Sequence, residues 1–82
     1  MPLFISEQAI RTLPITIDPE VMSGIPVFKG TRVPVDALIN NLADGVSLEE
    51  FLENFPTVTR DQTLAVLSFC DQILTQAAAL KR

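Results

Sequence analysis

The sequence contains no histidine, tyrosine or tryptophan, and Cys70 is its single cysteine. Without histidine the chain lacks the commonest general base and the commonest zinc ligand, and the Cys70 thiol has no imidazole to activate it. A single cysteine cannot form an internal disulfide, which is typical of a cytoplasmic protein. We therefore expect a cytoplasmic, non-enzymatic protein that uses no cofactor and no metal ion.

Long apolar runs are also missing, and positive charge is scarce. No stretch of about eighteen apolar residues occurs, so we expect no membrane span. Six Lys and Arg stand against ten Asp and Glu, a net charge of −4 over 82 residues, which argues against a chain coated in nucleic acid. The hydrophobic fraction of 48% excludes disorder. The length allows one domain with a thin core, which a partner chain would help to stabilise.

The first half of the chain predicts a short β-ribbon. Ile15–Asp18 alternates and is β-branched, and Gly24–Gly30 forms a second short strand with Pro26 at an edge or at the strand start. We place the ribbon at residues 15–33, behind an N-terminal extension of residues 1–14. Two such strands are marginal alone, and their open edge invites pairing with another chain.

Turn-forming residues follow each strand of this ribbon. Asp18 opens a turn or caps a single helical turn. Gly30 can supply a positive φ or a tight approach where the chain leaves the second strand, and Thr31 can hydrogen-bond locally in the turn. Arg32 lies just before a helix N-terminus, where a cation is disfavoured, so we expect it to pair with Asp18 or Glu20. The alternative is that Arg32 is offered to a phosphate or to the acidic site of a partner.

The second half of the chain is helical. Pro34 opens the first helix in its first turn, Gly45 ends it as a left-handed cap, and Ser47 and Thr59 each begin a capping box. Apolar residues recur at helical spacing between these signals. The predicted helices cover about residues 34–44, 47–55 and 59–80.

The third helix carries a wider apolar surface than two short helices can bury. Its C-terminal half includes Ile73, Leu74 and Leu80. One hypothesis is that this half packs against another chain, as in a homodimer or a higher oligomer. The other is that the N-terminal strands cover it.

Three helices joined by tight turns resemble a helix-turn-helix core. The predicted fold class is mainly α, a three-helix homeodomain-like bundle preceded by a short two-stranded β-ribbon. Such a core places the N-terminal residues of its third helix in the major groove, here Thr59, Arg60 and Gln62. A helix cap plus solvated surface explains the same residues, and the sparse basic residues make DNA binding the weaker interpretation.

Several motifs then occur in order: Ile17-Asp18-Pro19-Glu20, Gly24-Ile25-Pro26-Val27-Phe28, Gly30-Thr31-Arg32-Val33-Pro34-Val35, Gly45-Val46-Ser47-Leu48-Glu49-Glu50 and Phe55-Pro56. Over about residues 15–69 this combination resembles the small prokaryotic family catalogued as domain of unknown function number 433. The resemblance implies a homeodomain-like fold behind a β-ribbon. It also implies the antitoxin of a toxin–antitoxin pair, whose usual partner is a PIN-like ribonuclease toxin. The structural motif residues are Asp18, Gly24, Pro26, Gly30, Thr31, Arg32, Gly45 and Ser47.

An antitoxin of this kind works by contact. A basic side chain such as Lys29 or Arg32, or the terminal pair Lys81-Arg82, would neutralise carboxylates in the acidic pocket of the toxin. Buried area would come from the third helix through Ile73, Leu74 and Leu80. The alternatives are a dimeric helix-turn-helix DNA-binding regulator and an oligomerising interaction module with neither partner.

Overall fold

A computed structural model describes residues 12–80, apart from the side chain of Leu80. In chain order these residues form strand β1 (Ile15–Thr16), a 3₁₀ turn (Met22–Gly24), strand β2 (Val27–Phe28) and helices α1 (Val35–Ala43), α2 (Leu48–Asn54) and α3 (Arg60–Leu80). The predicted fold class is confirmed: three helices follow a two-stranded antiparallel ribbon. Each predicted helix matches the observed one to within a residue at either end.

The ribbon is shorter than its sequence predicts. In the antiparallel pair Ile15 stands opposite Phe28, and the amide of Lys29 donates to the carbonyl of Pro14 at 2.8 Å. The predicted strands overran because Asp18 already begins a turn and because Pro26 has no amide hydrogen to donate.

Strand β2 also contacts the segment that precedes α1, through a bridge between Val27 and Pro34. The sequence places Pro34 in the first turn of the helix, and the structure corrects this. The ψ of Pro34 is 142°, an extended value, so Pro34 is the N-cap of α1 and the helix begins at Val35. The Val35 amide donates to Pro26 at 3.0 Å, which holds the start of α1 against the ribbon.

The predicted end of α1 at Gly45 is confirmed. Gly45 has a φ of +89°, and its amide donates to the carbonyl of Leu42 at 3.1 Å. The amide of Val46 donates to Asn41 at 2.9 Å. These two bonds form a Schellman motif, which satisfies carbonyls that the end of the helix leaves unpaired.

Ser47 caps α2 as predicted, because its hydroxyl oxygen accepts from the Glu50 amide at 3.1 Å. In the helix that begins at this cap, the Phe51 ring lies in the core and is fully buried. The Phe51 ring centroid lies 6.4 Å from that of Phe28 and 4.8 Å from that of Phe55. The buried cluster therefore joins the ribbon to the helices, and it consists of Phe28, Leu38, Phe51, Val58 and Val66.

Helix α3 has 21 residues, so it is about 31 Å long at 1.5 Å per residue. Thr63 and Val66 in its first turns are buried, Ile73 is half-buried and Leu74 is 68% exposed. The N-terminal part of α3 is therefore buried within the domain, whereas Leu74 in its C-terminal half lies exposed to solvent, and packing of that half on another chain stays a prediction. Within residues 12–80, no helix is both long and apolar enough to cross a membrane.

The division of the chain after residue 14 also stays a prediction, since residues 1–11 lie outside the described part. Leu13 and Phe69 of α3 both line an open hollow of about 260 Å³. Together with the hydrogen bond from the Lys29 amide to the Pro14 carbonyl, this shared hollow places the last residues before β1 beside the domain.

Candidate protein-interaction site

The candidate site is the connection between β2 and α1, residues Lys29–Arg32, which we name the cationic loop. Gly30 turns the chain with a φ of +78°. Thr31 closes the turn, because its amide and its hydroxyl both donate to the Phe28 carbonyl, at 3.0 and 2.8 Å. The Thr31 hydroxyl oxygen in turn accepts from the Val33 amide at 3.0 Å. The roles predicted for Gly30 and Thr31 are therefore confirmed.

Both cations of this loop are exposed, and within residues 12–80 neither side chain makes an ion pair or hydrogen bond. The predicted pairing of Arg32 with Asp18 or Glu20 is wrong. The Asp18 carboxylate instead accepts from the Glu20 amide at 2.9 Å and closes its own turn. Exposure to water removes the need for a partner, since the field of a nearby helix N-terminus is screened there.

The cationic loop lies beside the N-terminus of α3. The Nε2 atom of Gln62 donates to the Lys29 carbonyl at 3.0 Å. This bond spans 33 positions of sequence, and it places Lys29 close to the first turn of α3. Local sequence patterns do not indicate a hydrogen bond between residues so far apart in sequence.

The three candidate DNA-contacting residues lie together at this end of α3, and each already has a partner. Thr59 and Gln62 form a reciprocal capping box, with bonds of 3.1 Å from the Gln62 amide and 2.9 Å from the Thr59 amide. Arg60 lies 3.0 Å from the Glu49 carboxylate of α2. The second predicted capping box is thus confirmed, and a DNA contact by these residues stays a prediction.

The contact between Arg60 and Glu49 affects the pKa of the Glu49 carboxyl. A hydrogen bond from the backbone, followed by the hydrogen bond and charge of Arg60, lowers the pKa of the Glu49 carboxyl from its usual 4.5. Both side chains are well exposed, at 51% for Arg60 and 65% for Glu49. The pair therefore orients Arg60 without removing it from water.

The apolar candidates lie elsewhere on α3. Leu74 is twelve positions beyond Gln62, which is about 18 Å along a helix, and it is exposed beside the half-buried Ile73. The side chain of Leu80 and the terminal pair Lys81-Arg82 lie outside the described residues. The structure therefore does not bring the cationic loop and the apolar candidates into one compact site.

Sequence reasoning missed a left-handed turn before β2. Met22, Ser23 and Gly24 have successive φ angles of 50°, 58° and 86°. The side chains of Ile17 and Ile25 near this turn are 57% and 39% exposed. Gly24 was the available signal, because methionine and serine rarely take positive φ.

Acidic side chains do not gather into a metal centre in the described part of the chain. No group of three or more Asp, Glu or Cys residues there has the arrangement of a metal site. The features that stand out chemically are the exposed cations of the loop and the exposed apolar side chains.

Within residues 12–80, the fold and this site define a small three-helix domain with a β-ribbon and the cationic loop. The chain belongs to the family described as protein of unknown function DUF433, whose model matches residues 15–70. The predicted family resemblance is confirmed. The matched segment contains the ribbon, the cationic loop, α1, α2 and the first half of α3.

One curated protein and one solved structure are similar to this chain. The chain is 38% identical over 48 residues to the uncharacterized protein y4eO of Sinorhizobium fredii (strain NBRC 101917 / NGR234), an alignment that covers 58% of this chain and 22% of that protein. The chain thus spans about a fifth of that curated relative. The crystal structure of a DUF433 member from Anabaena variabilis ATCC 29413 has a TM-score of 0.65 and 26% identity, with 88% of this chain and 80% of that one covered.

Proposed function

We propose that this protein is the antitoxin of a toxin–antitoxin module and that it neutralises a PIN-like ribonuclease toxin by direct contact. The role comes from the family resemblance, and the structure supports the mode of action. The supporting observation is that Lys29 and Arg32 are exposed on an ordered loop of an acidic chain, with no carboxylate of residues 12–80 bonded to either.

The proposed contact pairs these cations with carboxylates of the toxin. A guanidinium can hold a carboxylate through two parallel bonds, and an ammonium adds a point charge. The turn around Gly30 and Thr31 fixes the main chain of the loop before binding. Since a preorganised loop loses less freedom on association, this geometry favours binding.

The exposed part of α3 supplies apolar area in this proposal. Leu74 is 68% exposed, and burying a leucine side chain contributes about 2 kcal/mol. A second copy of the chain is the competing occupant of this face. Light scattering of the wild type and of Leu74→Asp distinguishes them, because only self-association would change the molar mass of the isolated protein.

Binding of DNA is the competing function, and the contacts at the N-terminus of α3 weigh against it. To reach base edges, Arg60 would have to leave Glu49, and Gln62 would have to leave both Thr59 and Lys29. Asp61 adds a negative charge between them, which repels phosphate. A contact with acidic protein groups requires none of these rearrangements.

The test uses the protein encoded by the adjacent reading frame. We expect that protein to arrest growth when expressed alone in a bacterial host and co-expression of this chain to restore growth. The purified pair should form a complex by size-exclusion chromatography, with a Kd measured by calorimetry. Loss of rescue in the wild-type pair would contradict the antitoxin role itself.

Matched variants test the mode of action. Arg32→Ala should weaken the complex by about tenfold, the size of one charge-assisted bond. Arg60→Ala removes the same charge outside the loop and should change the Kd by less than about threefold. If Arg32→Ala and Leu74→Asp both left the Kd unchanged, the proposed contacts would be wrong even with growth rescue intact. Preferential binding of upstream DNA, abolished by Arg60→Ala, would favour the regulator.

A further inference from the structure

We infer that Gln62 is a positioning residue that couples the N-cap of α3 to the shape of the cationic loop. This inference rests on the proposed function, since the loop is the contact site there. Gln62 lies on α3, and its own side chain is half-buried. It acts through the main chain of Lys29, so it leaves the charged side chains free to bind.

Three bonds carry the inference. The main-chain amide of Gln62 donates to Thr59 Oγ1 at 3.1 Å, and the side-chain Oε1 of Gln62 accepts from the main-chain amide of Thr59 at 2.9 Å. Its Nε2 donates to the Lys29 carbonyl at 3.0 Å. One side-chain amide therefore serves two structures, with its acceptor end on the helix cap and its donor end on the loop.

The chemistry explains why glutamine occupies this position. Glutamate is equally good at the N3 position of a capping box, three residues after the N-cap, because the box uses only an acceptor oxygen of that side chain. Glutamate has no donor for the Lys29 carbonyl at neutral pH, whereas the glutamine amide has both groups. The orientation of the amide follows from its partners, since the opposite orientation would set its NH₂ against the Thr59 amide hydrogen.

The other bonds of the loop tie it to the ribbon. The Lys29 amide bonds to Pro14, and Thr31 bonds to Phe28. Among the described residues, the Gln62 bond is the one that ties the loop to α3. Removing it should leave the turn able to move relative to the helix bundle.

The experiment compares two variants that add the same charge. Gln62→Glu keeps the capping acceptor and loses the donor to Lys29. Thr59→Asp keeps an N-cap acceptor, adds a negative charge at the same helix end and leaves the Gln62 bond intact. Amide hydrogen exchange of Thr31, measured by NMR on the full chain, reports the order of the loop, and thermal melting reports the caps.

We expect Thr31 exchange to accelerate about fivefold in Gln62→Glu, the loss expected for one neutral hydrogen bond, and to stay near the wild-type rate in Thr59→Asp. Titration with a hexaglutamate peptide at low salt should give a Kd about threefold weaker for Gln62→Glu than for Thr59→Asp. Equal exchange rates in the two variants, whether fast or slow, would overturn the inference.

The two proposals fail in different ways. If the wild type did not bind hexaglutamate, the proposed carboxylate contact would be contradicted, and the exchange rates would still decide whether Gln62 orders the loop. If the wild type and both variants bound hexaglutamate equally while Thr31 amide exchange accelerated only in Gln62→Glu, Gln62 would tie the loop to α3 without any effect on binding. That result would overturn the positioning role.

Discussion

Replacing Gly30 by alanine isolates the energy of the left-handed turn in the cationic loop. Gly30 has a φ of +78°, and a Cβ added there meets no atom within 4 Å. The penalty is therefore the local one for a left-handed L-residue, about 1–2 kcal/mol. A domain of 82 residues has a free energy of unfolding of roughly 4–12 kcal/mol. Gly30→Ala should stay folded and melt about 4–16 °C below the wild type.

Thermal melting followed by circular dichroism measures this difference, and two variants calibrate it. Gly30→Asn should lose less, because asparagine tolerates the left-handed region. Gly45→Ala should lose as much as Gly30→Ala, since Gly45 has a φ of +89° and equally open space around its Cα. A wild-type melting temperature in Gly30→Ala, or an equal loss in Gly30→Asn, would refute the reasoning.

Three further predictions address the core, the ion pair and the missed turn. Phe51→Ala should lower the melting temperature by at least about 12 °C, because losing this fully buried ring costs about 3–5 kcal/mol; a transition near the wild-type temperature would contradict it. Since the pKa of Glu49 is lowered in the folded state, its contribution to stability is present above the unfolded value of 4.5 and is lost as the pH falls through the folded value. Glu49→Gln should therefore melt slightly below the wild type at neutral pH and equal to it once the Glu49 carboxyl of the wild type is protonated. A constant difference across an acid titration would exclude this cause. Ser23→Gly relieves a φ of 58° and should raise the melting temperature by a few degrees, which a scanning calorimeter can check against the wild type.

The helices could be predicted from the sequence because their signals are local. Gly45, Ser47 and Thr59 each act within one turn of chain, through a cap whose partners lie at most a few residues away. The apolar periodicity between these caps specifies which face is buried. Neither inference needs knowledge of distant contacts, so the predicted ends agree with the structure to within one residue.

The candidate site was only partly predictable because its geometry depends on competition and on distance. The pairing predicted for Arg32 with Asp18 or Glu20 is absent because Arg32 is exposed, where water screens its charge, and Asp18 accepts from the amide of Glu20 in its own turn. The Gln62 contact with Lys29 joins residues 33 positions apart, so neither residue signals the other. Exposure of the two cations depends on the same tertiary arrangement, and the sequence alone left both alternatives standing.

The bonds that shape the cationic loop use the main chain of Lys29 together with Thr31 and Gln62. Among the bonds made within residues 12–80, none uses the side chain of Lys29 or Arg32. Shape and chemical identity are therefore separable in this loop. Under the proposed function, substitutions at the exposed positions 29 and 32 would therefore change which surface the loop binds without a cost to the fold. Under the same proposal, related chains that keep this main-chain geometry would be able to diverge toward different partners and avoid binding one another's partners.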